Sequence, residues 1–354
     1  MYESNSENKG QYSALSFVKR GLQLVSPIEF FKFSRIYTPE AIWLRRVCMM
    51  FDFYFCVLRY GTIVSDYFEY EFWKKKACVR KTYITMFHSI RMQRFFNHGS
   101  PEKLVNKRLF NEHFSAVHGL RNFYFDAPQT FEAFWEFVMR CNHSIIAKPN
   151  WGASGIGVFK PDVSSETKAK EVYERFQSSQ DYFCEEAFVQ TGSLGEVNPH
   201  CVNTIRIYTL FDGMDVHIMN ACVRFGGNTS CVDNIHSGGM ACEIDPETGV
   251  IVGAGYNLRN EKFVKHGLTG VVLPGIKVPN WPKVLEQCKK AALLIPNYGY
   301  IGWDVAVSED RVCIIEGNEV ANVDLPQVAC RCGLKKAYWA VKALTLANRK
   351  KNRS

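Results

Sequence analysis

Near the C-terminal end of this chain two carboxylates sit in apolar text, and any fold must find them partners. Asp304 interrupts Gly302-Trp303-Asp304-Val305-Ala306-Val307, and Glu316 follows Cys313-Ile314-Ile315 and precedes Gly317-Asn318. The β-branched content of both segments predicts two short strands, 301–307 and 312–316. An isolated buried carboxylate is costly, so each acid needs a cation, a metal or hydrogen-bond donors. Glu316 and Asn318 are two apart, and an extended backbone turns both side chains the same way. Hard cations such as Mg2+ take oxygen ligands and bind through one or two carboxylates plus substrate phosphates. Asp304, Glu316 and Asn318 are therefore candidate metal ligands; the plain alternative leaves both acids as exposed strand residues.

Upstream, residues 144–149 read as a strand ending near Lys148. A helix feeds it, with Phe131, Phe134, Trp135 and Val138 on one face and Thr130 as its cap. The strand runs into Asn150-Trp151-Gly152-Ala153-Ser154-Gly155-Ile156-Gly157, with a second strand expected over 157–160 and a helix over 165–178 covering the hairpin. Glycines let backbone N–H groups approach phosphate oxygens closely, and a lysine adds a point charge. Lys148 with Gly152, Ser154, Gly155 and Gly157 is thus a candidate nucleotide clamp, against an ordinary hairpin turn. It is not a Walker sequence, because the lysine precedes the glycines.

Two further groups share this chemistry. Cys184-Glu185-Glu186-Ala187-Phe188-Val189 leads from a strand into an apolar stretch whose backbone suits adenine; acidic pairs in such places are otherwise solvated. Asn203, Arg206 and Arg224 lie on predicted strands, where arginines neutralise a transferring phosphoryl group or form surface ion pairs. Asn234 is followed by Gly238-Gly239, which permits close approach of a ligand. His236 is either a general base or an ordinary turn residue.

A chain of 354 residues with 47% hydrophobic residues can bury a deep core. Residues 1–20 are polar and expected to fray, and 21–125 read as mainly helical. The stretch 41–64 carries Arg45, Arg46, Asp52 and Arg59, too many charges for a bilayer span of about 20 residues. Strand, helix, several strands, helix and paired strands then read as α+β over 126–334, before a C-terminal helix and basic tail, 335–354. The 13 cysteines show no CxxC spacing, and with no apolar leader after Met1 they are expected to be reduced thiols in the cytoplasm. The net charge of +8 gathers at Lys74 to Lys81 and in the C-terminal tail. No nucleic-acid partner is expected; contact with a membrane surface or with assembly proteins is left open.

The joint order of these motifs resembles the ATP-grasp superfamily. Val202-Asn203-Thr204-Ile205-Arg206, with the Asp304 and Glu316-Gly317-Asn318 segments, is most similar to its sugar-transfer-associated group, linked to capsule and exopolysaccharide assembly. The resemblance implies two α+β subdomains clamping ATP, with Mg2+ as cofactor, two ions in number. It implies that Lys107 and Lys148 hold phosphates, that the loop 152–157 covers them, and that Glu185, Glu186 and Phe188 line adenine. Asp304, Glu316 and Asn318 would chelate magnesium, while Arg206, Arg224 and Asn234 face the transferred phosphoryl. The activity implied is an ATP-dependent carboxylate–amine ligase working through an acyl phosphate, with a sugar acid and an amine as substrates. A kinase of a hydroxyl and a non-catalytic scaffold are the alternatives. The helical N-terminal region departs from the usual pattern and leaves the acceptor-binding half unassigned.

Overall fold

The computed structural model describes residues 23–125, 129–152, 155–177, 181–227, 238–321 and 323–351; the expectation for 1–20 lies outside these. The N-terminal region is helical, with α1 (Pro27–Tyr37), α2 (Trp43–Tyr60), α3 (Val64–Glu69), α4 (Ala77–Arg80), α5 (Met86–Phe96), α6 (Glu102–Val105), α7 (Lys107–His113) and α8 (Ser115–His118). Local chemistry sets the boundaries. Ser26 Oγ accepts from Ile28 N at 3.2 Å and Pro27 fills the first turn of α1, while Gly61 ends α2 in the left-handed conformation, φ 64°. Buried Phe30, Phe53, Tyr67, Phe68 and Phe72 bind the first helices together, Phe30 stacking on Phe53 with ring centres 5.3 Å apart.

A three-stranded antiparallel sheet follows, in the order β1-β3-β2: β1 (Asn122–Tyr124), β2 (Ile145–Pro149) and β3 (Tyr182–Glu186). Helices α9 (Phe131–Arg140) and α10 (Glu166–Phe176), capped by Thr130 and Ser165, bury Phe134, Val138 and Phe176 against Ile145 and Ala147. The strand expected over 157–160 does not form. Phe159 makes a single bridge to Ala147, because Gly155 and Gly157 take φ of 73° and 76° and Pro161 follows at once.

The larger sheet has seven strands in the order β10-β9-β4-β5-β6-β7-β8, all antiparallel. They are β4 (Ile205–Phe211), β5 (Val216–Phe225), β6 (Met240–Ile244), β7 (Gly255–Tyr256), β8 (Lys262–Phe263), β9 (Tyr300–Val307) and β10 (Val312–Asn318), with α11 (Ser193–Val197) preceding β4. The helix α12 (Trp281–Leu294) packs Trp281, Val284, Cys288 and Ala291 against Ile205, Ile207, Trp303 and Val305. Period-two alternation sends Arg206 and Asp304 to the other face, where α13 (Asp324–Cys330) covers Cys222 and Ala241. The last helix, α14 (Lys335–Lys351), takes Arg349, Lys350 and Lys351 of the basic tail into its final turn. Among the described residues no helix is long and apolar enough to cross a membrane, and the described cysteines are free thiols.

Candidate active site

Strand register assembles the acidic and basic groups. Arg206 lies opposite Asp304 across β4 and β9, and Asp304 lies opposite Glu316 across β9 and β10. The second pairing depends on a β-bulge. The register shifts between Ile314 and Glu316, and the extra residue, Ile315, aligns Glu316 with Asp304 and Asn318 with Gly302. Without it Glu316 would pair with Trp303 and turn into the core under α12.

Arg206 binds both oxygens of Asp304, through Nε to Oδ1 and through Nη2 to Oδ2 at 2.9 Å. Arg224 Nη2 sits 3.2 Å from the same Oδ2, and its Nε donates to Thr204 Oγ1 at 3.1 Å. Burial alone would raise the pKa of Asp304; the two guanidiniums outweigh it and hold the carboxyl well below the usual range. Glu316 moves the other way, pushed up by burial and by the facing Asp304 charge. Asn318 Nδ2 lies 3.5 Å from both Asp304 Oδ2 and Glu316 Oε1.

This donor set suits magnesium by its chemistry. Two carboxylates that repel one another and an amide share one end of a sheet, and all are oxygen-bearing. Among the described residues no group of three or more His, Cys, Asp or Glu is placed to hold a metal. Mg2+ commonly binds through one or two carboxylates and fills the rest of its shell with substrate phosphate oxygens and water.

Lys148, near the end of β2, faces a second buried set. Its Nζ donates to Glu185 Oε1; Glu185 Oε2 lies 3.1 Å from His118 Nε2, and His118 Nδ1 lies 2.9 Å from the carbonyl oxygen of Ile314. His118 is 1% exposed and Glu185 3%. Burial pushes the Glu185 carboxyl up, but Lys148 and His118 prevail and bring it down to about 2. These contacts tie the small sheet to β10 of the large one. Nothing in the sequence singles out His118, whose partner Ile314 is 196 residues away along the chain.

At the start of α7, Lys107 Nζ donates to the carbonyl oxygen of Gly152 at 2.7 Å, fixing the entry to the glycine-rich loop. Burial lowers its pKa, with Glu316 opposing and Lys148 adding to the effect. A cleft of about 210 Å³ is lined by Lys107, Phe110, Gly152, Glu316 and Asn318. Gly155 and Gly157 follow in the same loop with positive φ.

At the exit of β3, Glu186 accepts from Arg311 Nη1 at 2.8 Å and lies 3.3 Å from Arg121 Nη1, and the Arg311 guanidinium lies 5.9 Å from the Phe188 ring centre. Arg311 is a second residue that sequence reasoning misses. Asn203 is buried and donates to Gln190 Oε1 at 3.1 Å and to the carbonyls of Leu194 and Asn198, both at 2.9 Å, so it braces the turn before β4. Ser154, Asn234 and His236 lie outside the described residues.

Two antiparallel sheets, a cleft lined by Lys107, Glu316 and Asn318, and acid–base partners on neighbouring strands accord with the ATP-grasp class, which the sequence itself establishes. The chain belongs to the sugar-transfer associated ATP-grasp family, whose sequence profile matches residues 93–343. Among solved structures it is similar to the ATP-grasp ligase PsnB complexed with minimal precursor, at 15% identity over 68% of this chain and 60% of that one, TM-score 0.42. It is also similar to the D-alanine-D-alanine ligase from Coxiella burnetii, at 11% identity over 71% and 60%, TM-score 0.40. A third is carboxyaminoimidazole ribonucleotide synthase from Aspergillus clavatus complexed with ATP, at 12% identity over 62% and 45%, TM-score 0.40. The chain spans less than two thirds of the length of each. No curated protein matches it.

Proposed function

We propose that this chain is an ATP-dependent ligase that activates a carboxylate as an acyl phosphate and joins it to an amine, the carboxylate belonging to a sugar acid. The observation that carries this reading is the set Arg206, Arg224, Asp304, Glu316 and Asn318 gathered on adjacent strands beside the cleft, in an ATP-grasp family member. Lys107 and Lys148 hold phosphates, Gly152, Ser154, Gly155 and Gly157 cover them, and Glu185, Glu186 and Phe188 lie on the adenine side. Asp304, Glu316 and Asn318 are the groups that would hold Mg2+, which when bound supplies charge neutralisation at the phosphates.

In the first step a substrate carboxylate oxygen bonds to the γ-phosphorus while the bond to the β–γ bridging oxygen breaks, and ADP leaves with that electron pair. Arg206, Arg224 and Asn234 stabilise the negative charge on the transferring group. In the second, the amine nitrogen bonds to the acyl carbon, inorganic phosphate departs and the amine proton passes to solvent. The protein's part is positioning and electrostatics, so no covalent nucleophile is needed.

Hydroxylamine trapping tests this. With ATP, magnesium and a panel of uronic acids, the expected product is a hydroxamate formed together with ADP. A phosphate ester instead would make the chain a kinase, and absence of ADP release with every acid and amine would reject a ligase altogether.

A further inference from the structure

We propose that the outward face of α2 docks on a lipid bilayer bearing anionic headgroups. This helix is apolar on two opposite sides. One side buries Met49, Phe53, Cys56 and Tyr60 in the aromatic core. The other carries Leu44, Cys48, Phe51, Phe55 and Leu58, each four or three residues from the last, and all are exposed; Phe51 is 68% exposed and Leu58 90%. At the same end as Leu44, Ile42 and Trp43 add further exposed apolar surface. A helix on the surface of a globular protein ordinarily has one apolar stripe, so a second one at this exposure marks a contact surface.

Charge beside the stripe identifies the occupant. Arg59 follows Leu58 and is exposed, and it shares a cationic cluster with Arg91 and Lys335. Among the described residues, none of these three cations pairs with a carboxylate. Lys335 Nζ lies 2.7 Å from His88 Nε2, and burial followed by Lys335 and Arg91 holds the His88 pKa down to about 4, so the imidazole stays neutral. At the other end Arg45 is exposed. Asp52, the acid on this helix, is engaged by Arg80 at 2.7 Å and by the Tyr67 hydroxyl at 2.8 Å.

Unneutralised cations at both ends of an apolar stripe complement lipid phosphates. They oppose a second copy of the same face, since two such helices laid antiparallel would bring Arg59 against Arg45. The helix does not qualify as a span, so it would lie in the plane of the interface with its outer stripe among the acyl chains.

Co-sedimentation of the full chain with vesicles tests the inference, using phosphatidylcholine alone and phosphatidylcholine with one quarter phosphatidylglycerol. Binding is expected with the anionic vesicles only. The double variant Phe51→Asp, Leu58→Asp should lose it, and Arg59→Gln with Lys335→Gln should weaken it by about fivefold for each cation removed. All four positions are at the surface or partly so, and thermal melts establish that each variant is folded. No binding to anionic vesicles, or equal binding by wild type and both variants, overturns the inference. So does a dimer in light scattering that Phe51→Asp, Leu58→Asp dissociates, which would give the face to a second copy. None of these readouts depends on the ATP site.

Discussion

Replacing Glu185 with glutamine keeps the shape of a buried side chain while removing a charge that Lys148 and His118 both engage. The fall of its pKa from 4.5 to about 2 corresponds to about 3 kcal/mol of folding free energy. That agrees in order of magnitude with the roughly 3–5 kcal/mol lost when one member of a buried ion pair is removed. Because the folded pKa lies below the unfolded one, this stability is complete above the unfolded value and fades as pH falls toward the folded one. Urea unfolding followed by tryptophan fluorescence should therefore show a Glu185→Gln penalty of about 3 kcal/mol at pH 7 and less than half of it near pH 3. A penalty that is absent at pH 7, or unchanged at pH 3, would refute the assignment of Glu185 as the buried counter-ion of Lys148.

Lys148→Ala and Glu316→Ala should each lower ADP release by at least about 100-fold while the chain stays folded at 25 °C, as read by a coupled assay and circular dichroism. Gly317→Ala places a Cβ 2.9 Å from both Leu104 Cδ2 and Trp303 Cζ3, beneath the metal-site candidates, and should cost about 1–3 kcal/mol in denaturant unfolding. Asp66 is buried and its pKa is raised from 3.8 to about 7, first by burial, so the wild type loses stability as pH rises through that value. Asp66→Asn keeps an acceptor for the amides of Ile63 and Met86, now at 3.0 and 2.9 Å. Its melting temperature should exceed the wild type's at pH 8 and lose that advantage at pH 4.

Asp304 and Glu316 are legible in the sequence because an acid in an apolar strand stands out against its neighbours. The bulge that brings them together is not. Ile315 is β-branched like Ile314, and only the pairing with β9 shows that it is the extra residue. Lys148 and the glycines can be read locally and Lys107 enters only with the family resemblance, whereas His118 and Arg311 act on partners far along the chain and leave no local pattern. The expected strand at 157–160 shows the opposite failure. Val158 and Phe159 alone do not outweigh Gly155 and Gly157 at positive φ. The helical character of the N-terminal region follows from its spacing, but apolar residues on the two sides of α2 look alike in one dimension. Only packing separates Phe53, which is fully buried, from Phe51, which is not.

Calorimetric titration of a non-hydrolysable ATP analogue into the folded chain, with and without magnesium, asks most directly whether the cleft is a nucleotide site. Uptake is expected only with magnesium in the wild type, and it should vanish in Glu316→Ala. Magnesium-independent uptake, or undiminished uptake by that variant, would contradict the assignment of Asp304, Glu316 and Asn318 to the metal.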